Sequence, residues 1–361
     1  MKHPLSGADP ATFFGALLAN GGVRRSDIGR TLAMAGAVLG RTPFSLAERL
    51  WMAARVPEEL PEPPIFIVGH WRSGTTHLYN IMAKGDFAYV PPVATGLPWD
   101  LLLIGGLFRP LLEKALPDSR AIDNVPVTPD APQEDEIALA NMTRQSFYHA
   151  LYFPEAFERH LRAGLFFEGV PQSGIAEWER RVRHLYAKLV HQQGGRRLLI
   201  KNPVYTGRVA QLARMYPGAK FINMVRDPYD IFVSMRNFYV KLFPELALQE
   251  HADVDIDEAV LSVFPDLMQR LRTDAEALPE GDFVELRYKE LDADPIETVR
   301  RAYAALGLQG FETSVESFRA YLGGIRSYRK NDFAMPAEVI EKVNTRWSDE
   351  IERLGYEVRQ P

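Results

Sequence analysis

The chain has 361 residues, with 46 % apolar and 25 % charged side chains, so it has the composition of a globular protein with a sizeable core. Its 42 basic and 47 acidic residues give a net charge of −5, which argues against a nucleic-acid footprint and makes any anion site local. It contains no cysteine, which excludes disulfides, thiolate nucleophiles and Cys-ligated metals, and fits a reducing, cytoplasmic location.

The first 22 residues lack an uninterrupted apolar core and read as mature protein. Residues 11–56 read as two or three amphipathic helices, with a break at Thr42-Pro43-Phe44 and Ser45 capping the last of them. A proline cluster closes this N-terminal helical extension, assigned to residues 1–60, and one domain is expected over 61–361. The apolar run Ile65 to Val68, between Pro64 and Gly69, has the form of a buried parallel strand. Residues 86–132 are irregular and rich in Pro and Gly, the pattern of a substrate-facing insertion. Its apolar stretch Leu101 to Phe108 is far shorter than the roughly 20 residues a spanning helix needs. Further strands are expected at Arg197 to Ile200, Lys220 to Val225 and Phe283 to Leu286. Asp227-Pro228 and Asp294-Pro295 serve as helix starts. The alternation of strands and helices predicts an α/β, three-layer P-loop-like fold with a mostly parallel central sheet flanked by helices.

Gly69-His70-Trp71-Arg72-Ser73-Gly74-Thr75-Thr76 lies between the first strand and a helix through His77 to Met82. Strand, glycine-rich turn and helix N-terminus together direct backbone N–H groups and the positive end of a helix dipole at one spot, an anion cradle. The outline is close to a Walker loop, but Thr75 stands where a nucleotide kinase carries Lys, and the cation has moved to Arg72. A second anion site is suggested by Arg226, at the carboxyl end of the third strand. Ser234, seven residues after the cap Asp227, lies on the same side of the following helix.

WRSGTT after one strand, RDPYDIFVS after another, Lys201-Asn202-Pro203 between them and RYKELDADPIETVRRAYAALGL downstream resemble the sulfotransferases that use 3′-phosphoadenosine 5′-phosphosulfate (PAPS). The likeness runs from Ile65 to Asn331 with its order kept, and is nearest the bacterial and tyrosylprotein-like branch. The resemblance implies that Arg72, Ser73, Gly74, Thr75 and Thr76 hold the 5′-phosphosulfate, and that Arg226 and Ser234, with Arg329 and Lys330, hold the 3′-phosphate. Tyr288 matches the family tyrosine near the adenine, and Trp71 offers a stacking face. Lys201 matches a family lysine near the departing oxygens. The desulfated product is adenosine 3′,5′-bisphosphate (PAP), and the family needs no metal.

Sulfuryl transfer gives a protein little covalent work, so rate comes from positioning and from stabilising charge on the departing phosphate oxygen, the role expected of Arg72 and Lys201. A general base for the acceptor is sought in Gln133-Glu134-Asp135-Glu136, at the start of a helix expected to reach Gln145. Helical spacing favours Glu134, then Glu136, with His149 and His70 as further options. The apolar segment Gly96 to Phe108 points to an acceptor with a lipid-like body if it covers the site. A P-loop small-molecule kinase and a non-catalytic nucleotide-binding protein are the rival readings.

Overall fold

The computed structural model describes residues 3–107, 110, 128–129, 131–325 and 335–361. Strand β1 is Ile65–Val68, β2 Leu199–Lys201, β3 Lys220–Val225 and β4 Phe283–Arg287. They form one parallel sheet in the order β2-β1-β3-β4, with Ile65 opposite both Leu199 and Lys220, and Phe221 opposite Phe283. Every residue of β1 and β2 is buried, which is why these strands read as unbroken apolar runs rather than as alternation. The chain leaves β1 toward β2 on one side and reaches β3 on the other. The carboxyl ends of β1 and β3 therefore form the switch point where open α/β sheets hold ligands.

Two compact units divide the chain. One comprises Met1–Glu62, Ala88–Leu198 and Leu242–Val254; the other, which carries the sheet, comprises Pro63–Phe87, Leu199–Lys241 and Asp255–Pro361. In the sheet unit, Asp294 caps the helix Pro295–Ala305 through the Glu297 N–H, and Asp227 accepts from the Tyr229 N–H at the start of Pro228–Leu246, so both Asp-Pro pairs begin helices. Trp347, in the helix Ala337–Arg353, stacks on Phe264 of the helix Ile256–Glu276 with ring centroids 4.1 Å apart.

The other unit departs from expectation in two helices. Residues 28–55 form one uninterrupted helix, Ile28–Arg55, with Pro43 inside it, rather than two helices broken at Thr42. Proline removes one helical hydrogen bond. Tertiary bonds hold the turn beside it: Arg41 donates to Ser6 O, Gly7 O and both Asp100 oxygens, and Thr42 Oγ1 to Val38 O. The helix expected to reach Gln145 is only Glu136–Ala140. Glu136 turns back to accept from Ser146 Oγ (2.7 Å) and the Phe147 N–H (2.9 Å), closing a turn where a helix would have run on.

Candidate functional site

The four strands end on one edge, and each contributes to the site. Beyond β1, Gly69 has φ +124°, and a Cβ there would lie 2.5 Å from Met224 O, so only glycine lets the turn leave the sheet this close to β3. Its N–H donates to Thr206 Oγ1 at 2.8 Å. Arg72 adopts φ +70°, a left-handed conformation that costs a non-glycine residue of order 1 kcal/mol and that the loop enforces. Gly74 (φ +97°) caps the helix Thr75–Met82, whose first N–H groups have no partner within the helix. A Cβ on Gly74 would lie 2.2 Å from Cδ2 of Tyr288, so the ring that follows β4 lies directly against the loop.

The side chains converge on this turn. Arg72 Nε donates to Ser234 Oγ at 2.8 Å, joining the loop after β1 to the helix after β3. Arg226 Nη1 donates to the Arg72 carbonyl at 3.2 Å, Nη2 pairs with Asp230 at 3.0 Å, and its guanidinium lies 4.8 Å from the centre of the Tyr288 ring. Lys201 closes β2 and is buried. Two polar atoms of the expected site residues are enclosed without a hydrogen-bond partner among the described residues: Ser73 Oγ, in a fully buried side chain, and Arg226 Nε. A buried hydroxyl and a guanidinium N–H left unsatisfied on an otherwise bonded turn suit an anionic ligand.

The other expected residues fall out differently. Trp71 is buried and meets the His70 ring edge-on. His70 Nδ1 lies 2.9 Å from the Trp71 carbonyl and its ring packs on Phe264; burial lowers its pKa to about 4, so the imidazole is neutral and structural. In the other unit, His149 is likewise buried with its pKa lowered to about 4 by desolvation, and it contacts Ala140 O. Asp135 is buried and accepts from Tyr186 OH at 2.7 Å. Glu136 is buried with its carboxylate engaged by Ser146 and Phe147, as described above. Glu134 is half-buried and precedes the short helix, so the helical-face reasoning that favoured it does not apply. Arg329 and Lys330 lie outside the described residues.

Sequence reasoning missed Thr206 and Asn223. Asn223 is buried within β3, donates to Glu285 at 2.9 Å and places Oδ1, which has no hydrogen-bond partner among the described residues, beside Gly69. A single amide inside the apolar run Phe221 to Val225 was the available signal. Thr206 carried none, being one hydroxyl in the short 3-10 helix Pro203–Gly207.

Residues 63–313 match the profile described as the sulfotransferase family. Over 334 residues the chain is 31% identical to the omega-hydroxy-beta-dihydromenaquinone-9 sulfotransferases Stf3 of Mycobacterium bovis and Mycobacterium tuberculosis, covering 91% of this chain and 84% of theirs. The fold is shared with two crystal structures, each 16% identical in sequence. Sulfotransferase STF9 from Mycobacterium avium matches with TM-score 0.66, over 98% of both chains. Sulfotransferase STF1 from Mycobacterium tuberculosis matches with TM-score 0.63, over 92% of this chain and 89% of that one. With a lysine-free anion loop at the switch point, and this likeness over most of its length, the chain belongs to the sulfotransferase family and transfers a sulfuryl group to an acceptor.

Proposed function

We propose that the sulfuryl donor is PAPS and that the acceptor is an alcohol with a lipid-like body. The observation that carries the donor reading is the Arg72–Ser234 bond, because it brings both anion-binding motifs of the sequence to one sheet edge. The unsatisfied Ser73 Oγ and Arg226 Nε fit a ligand with several anionic oxygens. When bound, PAPS supplies an activated sulfuryl group on a phosphate leaving oxygen. In this reading Arg72, Ser73, Gly74, Thr75 and Thr76 hold the 5′-phosphosulfate. Arg226 and Ser234 hold the 3′-phosphate together with Arg329 and Lys330. Tyr288 and Trp71 flank the adenine. Arg72 and Lys201 stabilise charge on the departing oxygen, and their fixed placement avoids reorganisation during transfer. No metal is needed, and Thr75 in place of the Walker lysine disfavours ATP chemistry.

Glu134, with Glu136 as the alternative, is put forward as the base that takes the acceptor proton. Glu134→Gln should lower turnover and abolish the acidic limb of the pH–rate profile; a variant that kept both would remove Glu134 from the role.

The lipid-like acceptor rests on the named acceptor of the mycobacterial relatives, a hydroxylated dihydromenaquinone, and on the apolar segment at residues 96–107. Within that segment Trp99 and Leu101 are buried while Leu103 and Leu107 are exposed. A cytoplasmic location belongs to the same reading and rests on the cysteine-free sequence. The test is transfer of label from PAPS. Hydroxylated polyisoprenoid quinols are expected to accept it and simple sugars to fail. Sugars accepting in their place would overturn the acceptor, and turnover of ATP without use of PAPS would overturn the donor.

A further inference from the structure

The helix Ile28–Arg55 is built inside out. Its exposed residues, apart from the terminal Arg55, are only Gly, Ala, Pro, Leu, Ile, Phe and Trp. Ile28, Leu32, Leu39, Leu46 and Leu50 are 48, 68, 53, 53 and 65 % exposed, and at helical spacing they fall within an arc of about 40°. The polar residues turn inward. Arg41 pairs with Asp100 at 2.7 Å, Glu48 pairs with the fully buried Lys188 at 2.7 Å, and the Arg49 guanidinium lies 4.7 Å from the centre of the Trp99 ring. An ordinary surface helix has the reverse arrangement.

We propose that this face docks on an anionic lipid surface, with the helix lying along the membrane plane. Three observations select that occupant. The apolar face runs from Ile28 to Ala54, about 40 Å of helix, and the Trp51 indole is its one exposed hydrogen-bonding side chain, a group suited to the boundary between acyl chains and headgroups. A protein interface of such extent would use about one hydrogen bond per 100–200 Å², whereas the acyl boundary of a bilayer asks for none. Charge is complementary at the ends of the face: Asp27 and Glu48 are buried and ion-paired, and of the six arginines of residues 24–55 four, Arg24, Arg30, Arg41 and Arg49, are held by carboxylates. Arg25 and Arg55 are exposed at the two ends of the face, where they meet anionic headgroups. The helix does not cross a membrane: Arg30, Arg41, Glu48 and Arg49 interrupt it, and no helix among the described residues is long and apolar enough to span one. This inference concerns where the protein sits and stands whatever the acceptor proves to be.

Trp51, on this helix, reports the contact selectively. It is 39 % exposed, while Trp71, Trp99, Trp178 and Trp347 are all buried. Vesicles of phosphatidylcholine and phosphatidylglycerol carrying brominated acyl chains should quench the full-length chain, and pure phosphatidylcholine vesicles should do so much less. L39E/L46E, at two exposed positions, should keep the thermal midpoint and partition at least about 10-fold more weakly. R25E/R55E leaves the apolar stripe intact and should remove the preference for anionic vesicles. Absence of quenching by either vesicle, or equal quenching by both, would overturn the proposal. So would a stable dimer in lipid-free buffer that L39E/L46E converts to monomer, because the face would then belong to a second copy.

Discussion

The two units hold cations in contrasting ways. In the sheet-free unit, Lys188 and Glu48 are both fully buried 2.7 Å apart. Lys188 also donates to Pro98 O, and Glu48 accepts the N–H groups of Leu102 and Leu103. That charge is spent on holding one segment of chain against two helices. At the sheet edge, Arg72 donates to a serine hydroxyl, and Arg226 to a backbone carbonyl, with an aromatic ring below it and Asp230, 40 % exposed, as its carboxylate. A surface ion pair of that kind is weak and screened. A cation whose carboxylate partner is exposed and screened can exchange it for an incoming anion, whereas one enclosed with a buried carboxylate is neutralised by it. We therefore propose that the cations at the sheet edge bind ligand, while Lys188 is structural.

The sharpest way to break this contrast is Lys188→Ala. It leaves Glu48 buried and unpaired and should lower unfolding stability by about 3–5 kcal/mol in denaturant titration. Lys188→Met with Glu48→Leu should recover most of the loss; a destabilisation below 1 kcal/mol for the single variant would show that the pair is solvated. Arg72→Ala tests the other side. Stability should change little, while kcat falls at least ~100-fold, as loss of a transition-state donor does. Near-normal turnover would exclude the role.

A smaller effect comes from His70, the second residue of the loop. Burial lowers its folded pKa to about 4, against about 6.5 in the unfolded chain, so between those values the unfolded state binds the extra proton. Stability contributed by the neutral ring is therefore complete above pH 6.5 and is lost as pH falls toward 4, at up to about 1.4 kcal/mol per pH unit. His70→Asn should reduce that slope by about one proton; an unchanged slope would place the titration elsewhere.

The contrast also explains what could be read in the sequence. The strand Lys220–Val225 and the turn from Gly69 to Thr76 were legible because local rules and tertiary context agree there: apolar run, glycines, then a helix start. The pairing of Arg72 with Ser234 was not, since 162 residues separate the two and no local pattern couples them. Pro43 misled because the local rule for proline was overridden by Arg41 reaching Asp100, 59 residues away. The helix expected to reach Gln145 misled in the opposite sense. Its local pattern continued, but it ends at Ala140, where the Glu136 carboxylate accepts from Ser146 and Phe147.

The central claim is that the edge holding Arg72 and Arg226 recognises both phosphates of a 3′-phosphorylated adenosine. Calorimetric titration of the full chain with adenosine 3′,5′-bisphosphate and with ATP tests it most directly. The bisphosphate should bind at least about tenfold tighter than ATP, with the difference erased by Arg226→Ala, as expected for loss of a charge-assisted contact. Tighter binding of ATP, or a preference that survives Arg226→Ala, would contradict it.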